Sequence, residues 1–148
     1  MHEVTQTILH DPPKIGNCFQ AALASVLELP IDDVPHFMLH GDWFLRLQGW
    51  LADRGLCYLY DVHPQYSEYW GYHLISGLSE RGVRHTCVGR AGALVFDPHP
   101  SRAGLLPEGD EHQLVFSLLV PLDPAIGEVH PETLTPSRKS FTGYVSPK

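Results

Sequence analysis

The sequence predicts an α+β domain in which N-terminal helices pack on a C-terminal antiparallel β-sheet. Three observations carry that expectation. Helical periodicity is confined to the first part of the chain, ending near Arg54. Strand-like segments follow, and several are joined by links too short for crossover helices. No glycine-rich phosphate-binding motif follows a strand, which argues against a doubly wound nucleotide-binding fold.

Residues 1–16 read as an extended lead-in, because Asp11-Pro12-Pro13 blocks helix there. Gly16-Asn17 signals a turn. From Cys18 onward Phe19, Ala22, Leu23, Val26 and Leu27 recur at i, i+3, i+4 spacing, so a helix is expected until Pro30. Asn17 occupies its N-cap position and Cys18 its first turn. A second helix is expected over about 43–54, with Asp42 as N-cap, Gly55 as stop, and Trp43, Leu47, Trp50 and Leu51 as its buried stripe. Strands are expected at Leu56–Val62, Tyr72–Leu78, Val83–Val88, Ala93–Phe96 and Gln113–Val120. The second to fourth of these form a meander through the turns Ser79–Gly82 and Gly89–Gly92. Residues 1–120 thus make one domain, and the Pro-rich tail 121–148 is expected to wrap its surface or to be partly mobile.

The whole chain has 148 residues, 43% of them apolar, which suits one globular core. Its formal net charge is -7 and no Lys/Arg cluster is present, so no nucleic-acid partner is expected. No stretch approaches the roughly 20 apolar residues of a membrane span, and no secretory signal is visible. Cys18, Cys57 and Cys87 form no CxxC pair. This sparse, odd set fits a reducing, cytoplasmic location better than a disulfide scaffold. No cofactor is expected, and neither CxxC nor HxxxH spacing supports a metal site. The oligomeric state is not encoded in any pattern.

The chemistry centres on Cys18, His85 and Asp97. A thiol attacks as its thiolate, and a helix N-terminus favours negative charge. Cys18 is expected there, where free backbone N–H groups also suit an oxyanion. His85 lies in an apolar strand whose alternation puts Val83, His85 and Cys87 on one face. Positions 85 and 97 are symmetric about residue 91, so Asp97 is expected opposite His85 across the hairpin. In that place a carboxylate orients an imidazole and stabilises its cation. The imidazole itself takes the thiol proton and later returns it to the leaving group.

The segment Gly16-Asn17-Cys18-Phe19-Gln20-Ala21-Ala22-Leu23-Ala24-Ser25 resembles the nucleophile segment of C39-peptidase-like and related papain-fold proteins. Val34-Pro35-His36-Phe37 resembles the turn after that helix in small bacterial and phage members. Residues 76–85 and 97–105 resemble their second half, so the likeness spans about residues 4–106. It implies a papain-like cysteine peptidase fold, with Cys18, His85 and Asp97 as the triad in the order of that superfamily. The chain departs from the pattern in two places. An oxyanion glutamine six residues before the cysteine is replaced by Pro12, and the usual Cys-Gly-Pro by Cys18-Phe19-Gln20. Gln6 is the favoured oxyanion donor, with Asn17 as the alternative.

Asp97-Pro98-His99-Pro100-Ser101-Arg102 is a proline-fixed polar loop beside the proposed site. His99 and Arg102 are candidate substrate contacts, Arg102 for a carboxylate. Trp43, Leu47 and Trp50 read as core, and Cys57 and Cys87 as structural thiols. The expected activity is cysteine-dependent hydrolysis of a peptide or another amide. Acyl transfer uses the same residues, and an inactive papain-fold binding module or a metal-dependent hydrolase are the rivals.

Overall fold

Helix α1, Cys18–Leu27, begins where the sequence places it. In this computed structural model residues 1–122 are described, and the expected tail lies outside them from residue 123 onward. Ala21, Ala22, Leu23 and Ala24 are wholly buried, because small side chains let the helix approach its neighbours closely. Asn17 stands at the N-cap position but makes no capping bond with its side chain. Glu28, in the left-handed region, ends the helix.

Helix α2, Trp43–Ala52, buries Leu47 and Leu51, with Trp43 and Trp50 packed partly buried against the core. Asp42 does not cap it; its carboxylate instead pairs with Arg46 one turn on. Between the helices lie two short 3-10 turns, Ile31–Asp33 and Phe37–Leu39. Phe37 drops into the core from the second. The core joins Phe19, Leu23, Leu47 and Leu51 to Leu74, Val88, Phe96 and Leu119 of the sheet. Truncating Leu23 to alanine would cost about 2–5 kcal/mol, as core cavities do.

The sheet is five-stranded and antiparallel: β1 (Leu56–Val62), β2 (Tyr72–Leu78), β3 (Arg84–Arg90), β4 (Ala93–Phe96) and β5 (Val115–Pro121). Its order is β1-β5-β2-β3-β4. The meander β2-β3-β4 follows from its short turns. β5 returns to lie between β1 and β2, with Leu59 opposite Leu118 and Leu74 opposite Ser117. Phe116, Leu118 and Leu119 are all buried, as a central strand with both faces covered requires. A four-residue helix, α3 (Pro64–Ser67), occupies the loop after β1, with Pro64 in its first turn. No helix among the described residues is long and apolar enough to cross a membrane.

The β3–β4 hairpin corrects one expectation. Its two-residue turn puts Ala91 at φ 50 and Gly92 at φ 81, the pair of positive values that tight hairpins use. Arg90 therefore pairs with Ala93, and Gly89 with Leu94. A register shift then puts Val88 opposite Phe96. Continued by one residue, the ladder brings Asp97 beside Cys87 rather than directly opposite His85. β4 stops at Phe96, since Pro98 cannot donate to the ladder. Among the described residues, the edge of β3 at His85–Cys87 has no strand partner on that side.

Candidate active site

The lead-in lies between α1 and the loop after β4, and its hydrogen bonds explain which polar residues remain available. The turn Asp11–Lys14 folds the chain back, so that the Asn17 N–H donates to the Ile8 carbonyl at 3.0 Å. Asn17 Oδ1 accepts from the N–H groups of Thr7 and Ile8, at 3.1 and 2.8 Å. Its Nδ2 donates to Thr7 Oγ1 and Gln20 Oε1, each at 3.0 Å. Both amide protons of Asn17 are engaged, which excludes it as an oxyanion donor. It fastens the lead-in to the helix instead.

Gln6 takes the other position considered. It is buried, and its side chain lines the same cavity as Cys18. Nε2 donates one proton to the Ile8 carbonyl at 2.8 Å, and Oε1 has no hydrogen-bond partner. One N–H and one carbonyl oxygen therefore remain uncommitted. Pro12, where the family pattern has its glutamine, sits in the exposed Asp11–Lys14 turn. That turn lengthens the chain between Gln6 and Cys18 without moving Gln6 out of the cavity.

On its other side the lead-in is joined to the Asp97 loop. The Gln6 N–H donates to the Pro98 carbonyl at 2.9 Å. Arg102 donates to Thr5 Oγ1 and to the carbonyls of Asp97 and His99. Its guanidinium also lies 4.7 Å from the centre of the Phe96 ring. Arg102 does not line the cavity. The expected carboxylate-binding role is corrected on this ground: its donors hold the loop to the lead-in.

His85 and Asp97 meet despite the shifted register. Strand alternation puts His85 and Cys87 on one face, and Asp97 reaches that face just beyond β4. His85 Nε2 and Asp97 Oδ1 are 2.5 Å apart, and both side chains are almost fully buried. Asp97 also accepts the His99 N–H at 2.8 Å and the Gly104 N–H at 2.7 Å. Burial opposes the Asp97 charge, but the His85 hydrogen bond and these two N–H groups hold its carboxyl well below the usual carboxylate range. Burial likewise opposes the imidazolium, yet Asp97, followed by the Cys18 and Cys87 thiols, pushes His85 up to about 11. With Nε2 engaged by Asp97, Nδ1 is the ring nitrogen left to exchange a proton with a thiol.

Cys18, the first residue of α1, is half-buried on the wall of the cavity that His85 also lines, and it contributes to raising the His85 pKa. Cys87 is fully buried, and burial pushes its thiol up, so it stays protonated beside the same ring. His85, Cys87 and Asp97 place one donor atom each within 4.8 Å of one another, the one such cluster among the described residues. Those carboxylate oxygens are already engaged by His85, His99 and Gly104.

The cavity holds about 530 Å³, within the size range of small-ligand sites. His99 belongs to its wall, its ring 6.1 Å from that of His85 and edge-on to it. Trp43, Tyr58 and Tyr60 form another wall, and Arg81 and Arg84 a third. The sequence pattern singled out none of these last five as ligand-facing. Trp43 read as core, which it also is, and Tyr58 and Tyr60 belong to one aromatic-rich stretch with Tyr66, Tyr69, Trp70 and Tyr72, in which nothing marks the rings that edge a groove. Strand alternation was the available signal for Tyr58 and Tyr60, since two residues apart share a face. No family model, curated protein or solved structure matches the chain.

Proposed function

We propose that this chain is a cysteine-dependent hydrolase of a peptide or another amide, with Cys18 as nucleophile, His85 as general base and acid, and Asp97 as the residue that orients His85. One observation carries this reading: a buried imidazole, held by a carboxylate at one nitrogen, stands beside a half-buried thiol at the wall of a ligand-sized cavity. The order Cys, His, Asp and a thiol at the head of a buried helix support a papain-like, C39-peptidase-like assignment. The three free cysteines fit a reducing compartment.

The steps balance without a cofactor. The Cys18 thiol proton resides on His85 Nδ1, the ring being a cation below about pH 11, and the sulfur bonds to the amide carbon. The resulting oxyanion faces the Cys18 backbone N–H and the uncommitted Nε2 proton of Gln6. The C–N bond then breaks, and the proton on His85 goes to the departing amine. Water delivers a proton to His85 and adds to the thioester carbon. The C–S bond breaks and the proton stays on His85, which restores the starting pair. Amide and water become carboxylic acid and amine. A different acceptor in place of water would make the same residues an acyltransferase. The inactive-module alternative drew on a displaced glutamine, and it has less support with Gln6 on the wall of the Cys18 cavity.

The test is site-resolved alkylation by iodoacetamide near neutral pH, with mass spectrometry separating the three cysteines. Cys18 is expected to react fastest, and His85→Ala to bring its rate down to that of Cys57. If Cys18 reacts no faster than Cys57 in the unaltered chain, the proposal fails. An activity that survives in Cys18→Ala and is abolished by chelator would favour the metal-dependent rival.

A further inference from the structure

The arginines among the described residues divide into two sets. Arg46 pairs with Asp42, Arg54 stacks on Trp50, Arg90 lies over Tyr72, and Arg102 binds three oxygens. Arg81 and Arg84 form none of the ion pairs, side-chain hydrogen bonds or ring contacts found among the described residues. Both line the Cys18 cavity. No Asp or Glu among the described residues lines that cavity, although the chain as a whole carries a net charge of -7. Asp110 and Glu111 share a shallower neighbouring pocket with Arg84, yet neither closes an ion pair with it. In an acidic protein, two exposed guanidinium groups that line one cavity and pair with no described acid complement a carboxylate, which guanidinium binds in bidentate fashion.

The aromatic wall supplies a second requirement. Phe19, Trp43, Tyr58 and Tyr60 meet mostly edge-on, with ring centres about 6 Å apart. The network continues outward to Phe44, which is 41% exposed. Trp43 and Tyr60, packed over the buried Tyr58, therefore offer apolar ring faces and edges in the cavity that Cys18 lines.

We infer that the substrate class is an acidic amide, one that carries a carboxylate for Arg81 and Arg84 and a bulky apolar or aromatic group for the Trp43–Tyr58–Tyr60 wall. This inference rests on the hydrolase reading above and narrows it. The carboxylate belongs to a part of the substrate other than the scissile carbonyl, which Cys18 and Gln6 engage.

Chloroacetanilides separate these ideas without a known substrate. The thiolate sulfur bonds to the chloroacetyl CH2 as the C–Cl bond breaks and chloride leaves. Three probes are compared: chloroacetanilide, its para-carboxylate and its para-trimethylammonium derivative. Labelling is read at Cys18 relative to Cys57 in the same molecule. The carboxylate probe is expected to label Cys18 about ten-fold faster than the cationic one, as focused cavity fields allow. The preference should shrink at high salt. It should fall several-fold in R81Q/R84Q and in part in each single variant, so that one misfolded variant does not decide the result. Ring-free chloroacetamide should keep only the His85-dependent part of the Cys18 advantage, with a smaller Cys18-to-Cys57 ratio than chloroacetanilide, and Tyr60→Ala should narrow the gap between the two. If labelling depends on His85 but shows no charge preference, or a preference unchanged in R81Q/R84Q, the substrate inference is overturned and the hydrolase reading stands. Labelling of Cys18 that is insensitive to His85→Ala removes both.

Discussion

Asn17 and Asp97 are nearly the same size and shape, and the fold treats them alike up to a point. Both are buried, at 2% and 3% exposure, and both accept two backbone N–H groups from a neighbouring loop. They differ in what takes the remaining capacity. Asn17 gives its amide protons to Thr7 and Gln20, two neutral partners. Asp97 gives a third acceptor position to a titratable ring. A neutral node of this kind fastens one segment to another. A charged node that ends on an imidazole also sets that imidazole's protonation and orientation. Burial and saturation alone therefore do not mark a catalytic residue; the partner does.

Exchanging the two chemistries gives the largest expected effects. Asp97→Asn keeps the size of the side chain, removes the charge, and turns an NH2 toward groups that themselves donate. Cys18 alkylation by iodoacetamide is expected to fall about 10²–10⁴-fold, the range of a positioned base. A variant that folds and alkylates at the native rate would show that Asp97 is only another fastening, like Asn17.

The reverse exchange, Asn17→Asp, places a carboxylate against Gln20 Oε1 and removes the amide protons that Thr7 and Gln20 accept. A loss of about 3–5 kcal/mol in unfolding free energy is expected, as for other uncompensated buried charges. Chemical denaturation measures it. The fraction still folded should keep its His85-dependent alkylation. If stability holds and alkylation collapses, Asn17 belongs to the reaction and the contrast between the nodes is void.

The fold was legible in the sequence wherever information was local. The periods of α1 and α2 and the turns of the β2-β3-β4 meander are short-range signals, and their elements lie within a few residues of expectation. The insertion of β5 between β1 and β2 was not legible, because pairing partners so distant leave no mark on local periodicity. In the site, the proximity of His85 and Asp97 was legible from the hairpin, while the register that produces it was not. A count centred on residue 91 missed the two-residue turn and the shift beside Gly89. The roles of Asn17 and Arg102 were misread for a different reason. Residue type advertises hydrogen-bonding capacity, but only the fold shows what consumes it. Arg102 and Thr5 are 97 residues apart.

pH offers a smaller effect with a definite sign. Asp97 is held below the usual carboxylate range, so its contribution to stability is present above about pH 4, near its unfolded value, and lost as pH falls through the folded one. His85 is pushed up to about 11, so its contribution is complete below about pH 6.5 and declines as pH rises toward 11. The stability difference between the native chain and Asp97→Asn should therefore be largest between roughly pH 4 and 6.5 and shrink on either side. The difference for Asn17→Ala should be flat across the same range, because none of its partners titrates there. A flat profile for Asp97→Asn would mean that the His85–Asp97 contact lacks the charge coupling assigned to it.

The smallest effect concerns residues 5–8, which connect the two nodes. Thr7 and Ile8 bond Asn17, while Thr5 and Gln6 bond the loop around Asp97. Thr5→Ala removes one hydrogen bond to a charged donor and leaves that donor exposed to water. A stability loss of about 0.5–1.5 kcal/mol is expected. Iodoacetamide alkylation of Cys18 should not change. That reaction has no oxyanion, so it reports only the thiol and imidazole, and the Gln6-to-Pro98 bond still holds the loop. If Thr5→Ala slows alkylation as strongly as Asp97→Asn, the placement of the loop governs Cys18 rather than the charge it carries. The two nodes would then be one mechanical unit, and the distinction between them would rest on position alone.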